Sequence, residues 1–307
     1  MKCLLIVHSN EHVHFSKQIY FLKGMILMSV LDDLVQKYGL DKLNSATQYP
    51  SIITYHNLGD RGGLTNSLRF TDDEPLPNDN LEVSATEKID GTNSRIVVLG
   101  DDFFIGSRND FVHAKGDRVV TNDAVTPVYM GLTNFLSSYT PSEDRLLVLF
   151  GEAYGRKING AKCYTENAKP GFRLFDGFTI SIDELTKLFE ENDLPKIASW
   201  RDHLHQPFWP ESTFHNFCNQ FNLQRTPDVW KGTLGDIPKD PAETYEWLNQ
   251  FRLSQATLDE KAVVWDDTNL YGRSEGIVIR DKERRYIRKL RFEDYNKGKK
   301  NGWKAKK

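Results

Sequence analysis

Residues 87–93 read EKIDGTN and close a predicted strand over 81–89, LEVSATEKI. A lysine, an aspartate and a glycine therefore crowd the point where the backbone must turn sharply. Gly91 allows a positive φ or a close approach of the backbone to a ligand. So short a pattern often arises by accident, and an isolated lysine in it is more often a surface charge than a nucleophile. Other segments of the chain are needed to distinguish a surface charge from a nucleophile.

Three later segments supply the groups that a reactive lysine needs. GEAYG (151–155) follows an apolar strand and carries a glutamate, and SEGIVIR (274–280) offers a second glutamate before another apolar strand. RKLR (288–291) adds cations, and strand alternation places Lys289 and Arg291 on one face. A nucleophile candidate, three carboxylates and several cations are what attack on a nucleoside triphosphate requires.

Each of these groups has a chemical task. A free lysine has a pKa near ~10.4 and is protonated at neutral pH. Cations and a bound metal lower that pKa, whereas carboxylates alone raise it. Lys289, Arg291 and Mg²⁺ would therefore both activate Lys88 and neutralise phosphates. Magnesium prefers oxygen ligands and keeps several waters. The candidate ligands, acting through its hydration shell, are Asp90, Glu152 and Glu275.

The set of segments resembles the covalent nucleotidyltransferases, the superfamily of polynucleotide ligases and mRNA capping enzymes. It is most similar to the RNA ligase 2 family, over roughly residues 47–296. The first motif of that family, KxDGxN or KxHGxN, is matched by Lys88, Asp90, Gly91 and Asn93. DNA ligases and capping enzymes usually carry arginine at the position of Asn93, which favours the RNA ligase branch.

The resemblance also implies individual roles. Arg108, in FIGSR, occupies the arginine position that contacts the nucleotide and the 5′-phosphate end. Glu152 matches the ribose-binding glutamate, and Phe175 matches the aromatic that stacks on adenine, with Phe172 as the fallback. The implied nucleotide-binding residues are Glu87, Lys88, Gly91, Asn93, Arg108, Glu152, Phe175, Glu275, Lys289 and Arg291. The implied catalytic residues are Lys88, Asp90, Glu275, Lys289 and Arg291.

The implied reaction has three steps. Lys88 attacks the α-phosphate of ATP and forms a lysyl-AMP, AMP passes to an RNA 5′-phosphate, and a 3′-hydroxyl displaces AMP to close the strand. The expected cofactors are ATP and Mg²⁺ or Mn²⁺, and the expected partner is RNA with 5′-phosphate and 3′-hydroxyl ends. Two alternatives stay open: a DNA ligase or RNA guanylyltransferase, and a catalytically silent RNA-end-binding protein.

Two features depart from the family pattern. The second lysine of the fifth motif is replaced by Arg291, which keeps the charge but not the compact ammonium. Only sixteen residues follow Arg291. We therefore expect no C-terminal OB domain, and no helical C-terminal domain like that of better-known RNA ligase 2 members.

The pattern of elements predicts an α+β nucleotidyltransferase (adenylyltransferase) domain of largely antiparallel sheets flanked by helices. Residues 49–80 are rich in turn formers. The predicted strands cover residues 81–89, 94–99, 103–107, 146–150, 172–180, 274–281 and 285–292. The predicted helices cover residues 29–43, 128–139, 181–192 and 242–265. The predicted division is an N-terminal extension (1–46, with Met25 or Met28 as alternative starts), the domain (47–296) and a basic tail (297–307).

Composition narrows the remaining possibilities. The net charge is −3, so a polyanion must meet a local basic patch. Three scattered cysteines favour a reducing, cytoplasmic location. No segment approaches the ~18 apolar residues of a membrane span, so we expect no membrane partner. A zinc site is not expected, because the spacing of its candidate ligands fits no familiar framework. Those candidates are His203, His205, His215 and Cys218.

Overall fold

A computed structural model describes residues 29–59, 63–70, 78–117, 125–259 and 271–300. The strands are β1 (His56–Leu58), β2 (Leu64–Leu68), β3 (Glu82–Lys88), β4 (Thr92–Leu99), β5 (Asp102–Gly106), β6 (Phe111–Ala114), β7 (Arg145–Gly155), β8 (Pro170–Ser181), β9 (Asp228–Thr233), β10 (Gly276–Asp281) and β11 (Ile287–Arg291). The helices are α1 (Val30–Tyr38), α2 (Leu40–Thr47), α3 (Val125–Ser138), α4 (Ile182–Glu191), α5 (Leu194–Asp202), α6 (Glu211–Gln220), α7 (Pro241–Leu248) and α8 (Phe292–Lys300).

Two antiparallel sheets form the frame. One has five strands in the order β6-β5-β4-β7-β8, and the other has four in the order β11-β10-β3-β9. A small third sheet pairs β1 with β2. Helices cover these sheets, so the predicted α+β class with largely antiparallel sheets flanked by helices is confirmed. Among the described residues, no helix is long and apolar enough to cross a membrane.

The turn at 89–91 carries the chain from one sheet into the other. Lys88 is the last residue of β3 in the four-stranded sheet, and β4 of the five-stranded sheet begins at Thr92. A Cβ on Gly91 would lie 2.3 Å from the carbonyl oxygen of Ala153. Only glycine permits this close approach of β7. The sequence around Lys88 therefore joins the two sheets and places the lysine between them.

The predicted single helix over 29–43 is wrong, because the chain forms two helices there. Gly39 separates α1 from α2 with a φ of 92°, in the left-handed region that ends a helix. Leu31 and Leu43, one from each helix, are fully buried in the core under the five-stranded sheet. The division of the chain at 46/47 stays a prediction, but residues 30–47 contribute to that core.

Other differences concern the long connections. The helix predicted over 242–265 ends at Leu248, where Asn249–Phe251 tighten into a 3₁₀ turn; residues 260–265 lie outside the described part. Residues 49–80 hold β1 and β2, which were not predicted. Neither were α5, α6 and β9, although a capping Asp193 followed by Pro195 marks the start of α5. Residues 297–300 of the predicted tail belong to α8, and 301–307 lie outside the described residues.

Candidate active site

A cavity of about 440 Å³ lies between the two sheets, and the predicted residues line it. Their strands come from both sheets, so residues far apart in the chain meet at one place. The predicted residues along its wall are Glu87, Lys88, Asp90, Gly91, Asn93, Arg108, Glu152, Phe175, Glu275, Lys289 and Arg291. The motifs that the sequence singled out therefore form one site.

Lys88 pairs with Glu275 in this cavity. Gly276 lies opposite Lys88 in the β3–β10 register, and the Lys88 ammonium donates to the Glu275 carboxylate. A Cβ on Gly276 would lie 2.0 Å from the Leu290 carbonyl oxygen, so β10 must carry glycine here. About a fifth to a quarter of each charged side chain is exposed, at 24% and 20%. The amine is accessible from the cavity, although its charge is partnered.

Three carboxylates crowd the same space. Burial raises the pKa of Glu152 to about 8; the charges of Glu275 and Asp90 add to this rise, and those of Lys88 and Arg108 oppose it. Burial also raises the pKa of Glu275 in spite of its bond to Lys88. The backbone at Gly160 packs directly on the Asp90 carboxylate. Such mutual repulsion is relieved when a divalent cation enters, so the donor set fits a hard metal ion.

How an ion would bind to the three carboxylates of the cavity, directly or through water, stays a prediction. Within the described residues, one cluster brings three ligand atoms all within 4.8 Å of one another, and it is Glu211, His215 and Asp228. Asp90, Glu152 and Glu275 do not meet that spacing criterion. The predicted binding of Mg²⁺ or Mn²⁺ through water is compatible with this spacing.

The raised pKa of Glu152 predicts a dependence of stability on pH when metal is chelated. The folded protein keeps a proton that the unfolded chain releases near 4.5, so its stability falls as the pH rises from there to about 8. Glu152→Gln removes this loss. Relative to wild type, we expect its Tm in EDTA to rise by roughly 2–4 °C between about pH 5 and pH 8. The control is Glu143→Gln at an exposed site; equal pH profiles for Glu152→Gln and wild type would contradict the expectation.

Lys289 and Arg291 extend into the cavity from β11, as the alternation predicted. The backbone of Lys289 is held on both sides, because its N–H donates to the Ile53 carbonyl and its carbonyl accepts from the Tyr55 N–H. Burial, followed by the charges of Arg291 and Lys88, lowers the pKa of Lys289. The backbone that carries this cation is therefore held on both sides, and positive neighbours outweigh the effect of Asp294 on its pKa.

Arg291 is partnered by a buried aspartate. Its Nε donates to Asp294 Oδ2 at 2.9 Å and its Nη2 donates to Oδ1 at 2.7 Å. Asp294 lies in the first turn of α8 and is 4% exposed. The fork of a guanidinium can satisfy this carboxylate while Nη1 stays outside the pair, which a lysine ammonium on a single stem cannot reproduce.

Arg291→Lys is therefore not a neutral change here. We expect it to lower kcat/KM for ATP in the reaction proposed below by roughly 10-fold, the equivalent of one charge-assisted hydrogen bond. A matched control is Arg145→Lys at an exposed strand position. Radiolabel transfer from ATP at a series of ATP concentrations measures the effect, and wild-type kinetics in Arg291→Lys would show that Asp294 imposes no such requirement.

A β-bulge turns Phe175 toward the cavity. Opposite β8, Gly151 pairs with Leu174 and Phe150 pairs with Asp176, so Phe175 is the extra residue. Its carbonyl, freed from the ladder, accepts from Arg280 Nη1 at 2.8 Å. The fallback aromatic, Phe172, is buried against Gly151 and Gly131 and does not line the cavity.

The cavity wall also contains residues that the sequence motifs do not predict. Tyr49, Val278 and Arg280 also line the cavity; Arg280 was visible in SEGIVIR as a charge on a buried strand. Glu87 lines the cavity, and its role in nucleotide binding stays a prediction, but its carboxylate is engaged elsewhere. It is 2% exposed and accepts from Ser254 Oγ at 2.5 Å and the Gln255 N–H at 2.7 Å. Alternation along β3 points it away from Lys88.

Two of the residues weighed as zinc ligands, His215 and Cys218, lie in different surroundings. His215 Nε2 accepts from Arg225 Nη1 at 2.8 Å, and Arg225 also bridges to Asp228. The guanidinium thus takes the place that a cation would need among Glu211, His215 and Asp228. Cys218 is buried in a hydrophobic cluster on the face of the five-stranded sheet opposite the core of Leu31 and Leu43.

Comparisons with known proteins show which family the chain matches and which solved structures it is similar to. The family model described as RNA ligase matches residues 81–299. Comparison with curated proteins gave no match. Among solved structures, the chain is similar to an RNA ligase of Naegleria gruberi with PPi, at 17% identity and a TM-score of 0.46, covering 82% of this chain and 64% of that one.

Mutants of the same Naegleria gruberi ligase give similar values. One with ATP and Mn is 17% identical, with a TM-score of 0.46 and coverage of 82% and 63%. Another with AMP and Mn is 17% identical, with a TM-score of 0.46 and coverage of 82% and 64%. The chain thus spans slightly under two thirds of these ligases. The family model, however, matches most of the chain, over a range that includes the predicted site residues, and the chain belongs to the RNA ligase family.

Proposed function

We propose that the protein is an ATP-dependent RNA ligase in which Lys88 carries AMP as a covalent intermediate. The observation that carries this proposal is the position of the Lys88 amine. It lies in a cavity between two sheets, with three carboxylates and two cations along the same wall. A lysine that served only as a surface charge would not need this surrounding.

The first step requires a neutral amine beside a bound triphosphate. Lys88 must give up a proton, and Glu275, which accepts a hydrogen bond from the ammonium, is placed to take it. The neutral amine can then move away from Glu275. Once neutral, the amine attacks the α-phosphorus, the phosphoramidate bond forms as the nitrogen releases a second proton to solvent, and the bond to pyrophosphate breaks. Lys289 and Arg291 lie where they can stabilise the negative charge that leaves with pyrophosphate.

The cavity has features suited to the rest of the nucleotide. Phe175 offers an aromatic face to a purine. The Oδ1 atom of Asn93 is buried and finds no partner among the described residues, which suits a site that a ligand completes. Asp90, Glu152 and Glu275 would hold Mg²⁺ or Mn²⁺ through its water shell, and the ion would supply further neutralisation of phosphate charge.

The later steps involve the RNA. Arg108 is exposed at the mouth of the cavity, where it can bind the 5′-phosphate that receives AMP. A 3′-hydroxyl then attacks that phosphorus, the strand closes and AMP leaves. We also propose that residues 47–296 form the nucleotidyltransferase domain and that the basic residues of 297–307 contact the RNA backbone.

A nicked RNA duplex with 5′-phosphate and 3′-hydroxyl ends tests the proposal. Sealing with ATP and Mg²⁺, and none with a 5′-hydroxyl nick, would support it. Sealing of a DNA nick at an equal rate would favour the DNA ligase alternative, and guanylate transfer to a 5′-diphosphate RNA would favour the guanylyltransferase. Tight binding of RNA ends without any reaction would favour the catalytically silent alternative.

A further inference from the structure

Arg95 is a fully buried arginine in β4, seven residues after the nucleophile candidate. Its guanidinium lies 4.7 Å from the ring centre of Phe111. It also presses against Gly106 of the paired strand, where a Cβ would lie 2.7 Å from the guanidinium carbon. Buried arginines are rare unless they are paired. The Nε of Arg95 has no partner among the described residues, whereas both terminal nitrogens have one.

The donors of Arg95 lead to the loop that carries Arg108. Nη1 donates to the carbonyl oxygen of Ser107, and Nη2 donates to Oδ1 of Asn44 in α2. Burial is the main cause that lowers the pKa of Arg95 to about 9. The guanidinium therefore stays charged at neutral pH, and both hydrogen bonds keep their charge-assisted character.

The peptide carbonyls on both sides of Arg108 are held from outside the loop. Ser107 O is held by Arg95, while Asn109 O accepts from Asn44 Nδ2 at 2.8 Å and from Gln48 Nε2 at 2.5 Å. Both polar atoms of the Asn44 amide are bonded, because its nitrogen donates to Asn109 O and its oxygen accepts from Arg95. Helix α2 is thus bonded to the loop as well as to the buried arginine.

The side chain of Arg108 has no comparable restraint. It is exposed, and its Nη2 lies at 3.4 Å from Ser51 Oγ. A rigid backbone under an accessible cation is the arrangement that lowers the entropic cost of binding an anion.

We propose that Arg95, Asn44 and Gln48 form a clamp that positions Arg108 for the 5′-phosphate end of the RNA. The identity of the ligand rests on the proposed function. The three residues act through Arg108 and are positioning residues. The clamp also assigns a role to α2, since the substrate contact depends on a helix that precedes the first motif.

The main test variant is the double substitution Asn44→Ala/Gln48→Ala in the full chain. Gln48→Ala alone is the milder second variant, because it keeps the pair between Asn44 and the buried guanidinium. Lys42→Ala is the matched control: it removes two side-chain hydrogen bonds from the same helix, but these go to the carbonyls of Phe189 and Asn192.

Two measurements separate positioning from general stability. Hydrogen exchange reports the rigidity of residues 107–110, and we expect exchange about 10-fold faster in the double variant. Binding to nicked RNA duplexes with a 5′-phosphate or a 5′-hydroxyl gives an affinity ratio. We expect that ratio to fall roughly 10-fold in the double variant, less in Gln48→Ala, and not in Lys42→Ala. Adding Arg108→Ala to the double variant should lower the ratio little further, because both changes remove one interaction.

An unchanged affinity ratio in a double variant whose loop exchanges faster would overturn the clamp, and so would an equal loss in Lys42→Ala. Formation of lysyl-AMP from ATP is measured on the same preparations. If wild type forms lysyl-AMP but the affinity ratio is the same in wild type and in the double variant, the inference fails and the proposed function stands. If wild type forms none but the preference for 5′-phosphate depends on the clamp, the proposed ligase fails and the clamp stands.

Discussion

Lys88→Ala should form no covalent adduct with AMP and should seal a nicked RNA with ATP at least roughly 10⁴-fold more slowly than wild type, because it removes the nucleophile itself. The same variant should still join a strand that already carries AMP on its 5′-phosphate. In that reaction the bond to AMP is broken by the 3′-hydroxyl, and no lysine attack is needed. Gel-based sealing assays on the two substrates measure both rates.

The control for this prediction is Lys231→Ala. Lys231 is an exposed lysine on β9, the strand that pairs with β3 on the side away from Glu275. It removes an equal charge from the same sheet and should leave both reactions unchanged. Sealing by Lys88→Ala with ATP at a rate close to wild type would mean that another group carries AMP.

Lys289→Met should lower the rate of lysyl-AMP formation by roughly 10²–10³-fold, the usual loss when a fixed group that stabilises transition-state charge is removed. Methionine fills a similar volume, and the hydrogen bonds to Ile53 and Tyr55 involve only the backbone of residue 289. The fold of β11 should therefore persist. Single-turnover labelling with ATP measures the rate, with Lys231→Met as the control; a loss below about threefold would exclude Lys289 from the transition state.

The site was predictable to the extent that each motif ends or begins a strand. Glu275 and Lys289 lie in short motifs, and the strands keep the alternation of side chains that these motifs predict. The order of the motifs along the chain was therefore enough to predict that both residues lie near Lys88. Phe175 was chosen by resemblance. Its orientation comes from a bulge between β7 and β8, which the register of the partner strand determines and the sequence of β8 alone does not.

Long-range contacts set the limit of prediction. The Glu87 carboxylate is bonded to Ser254 and Gln255, over a hundred and sixty residues away, and no local pattern announces that pairing. Helix α7 ends at Leu248, shortly before this pair, whereas the apolar spacing alone predicts a helix over 242–265. Gly39 was a local signal that the helix over 29–43 would break, and it was outweighed by the apolar spacing around it. The contacts of Arg95 also join residues that no motif connects.

The central claim is that Lys88 becomes covalently linked to AMP. The most direct measurement is to incubate the full chain with α-labelled ATP and Mg²⁺, separate it under denaturing conditions, and map the labelled peptide. The account predicts one label from ATP, located at Lys88, absent from Lys88→Ala and released by pyrophosphate. Three results would contradict this claim. They are a label obtained from GTP but not from ATP, a label at another residue, and no label on folded protein with either nucleotide.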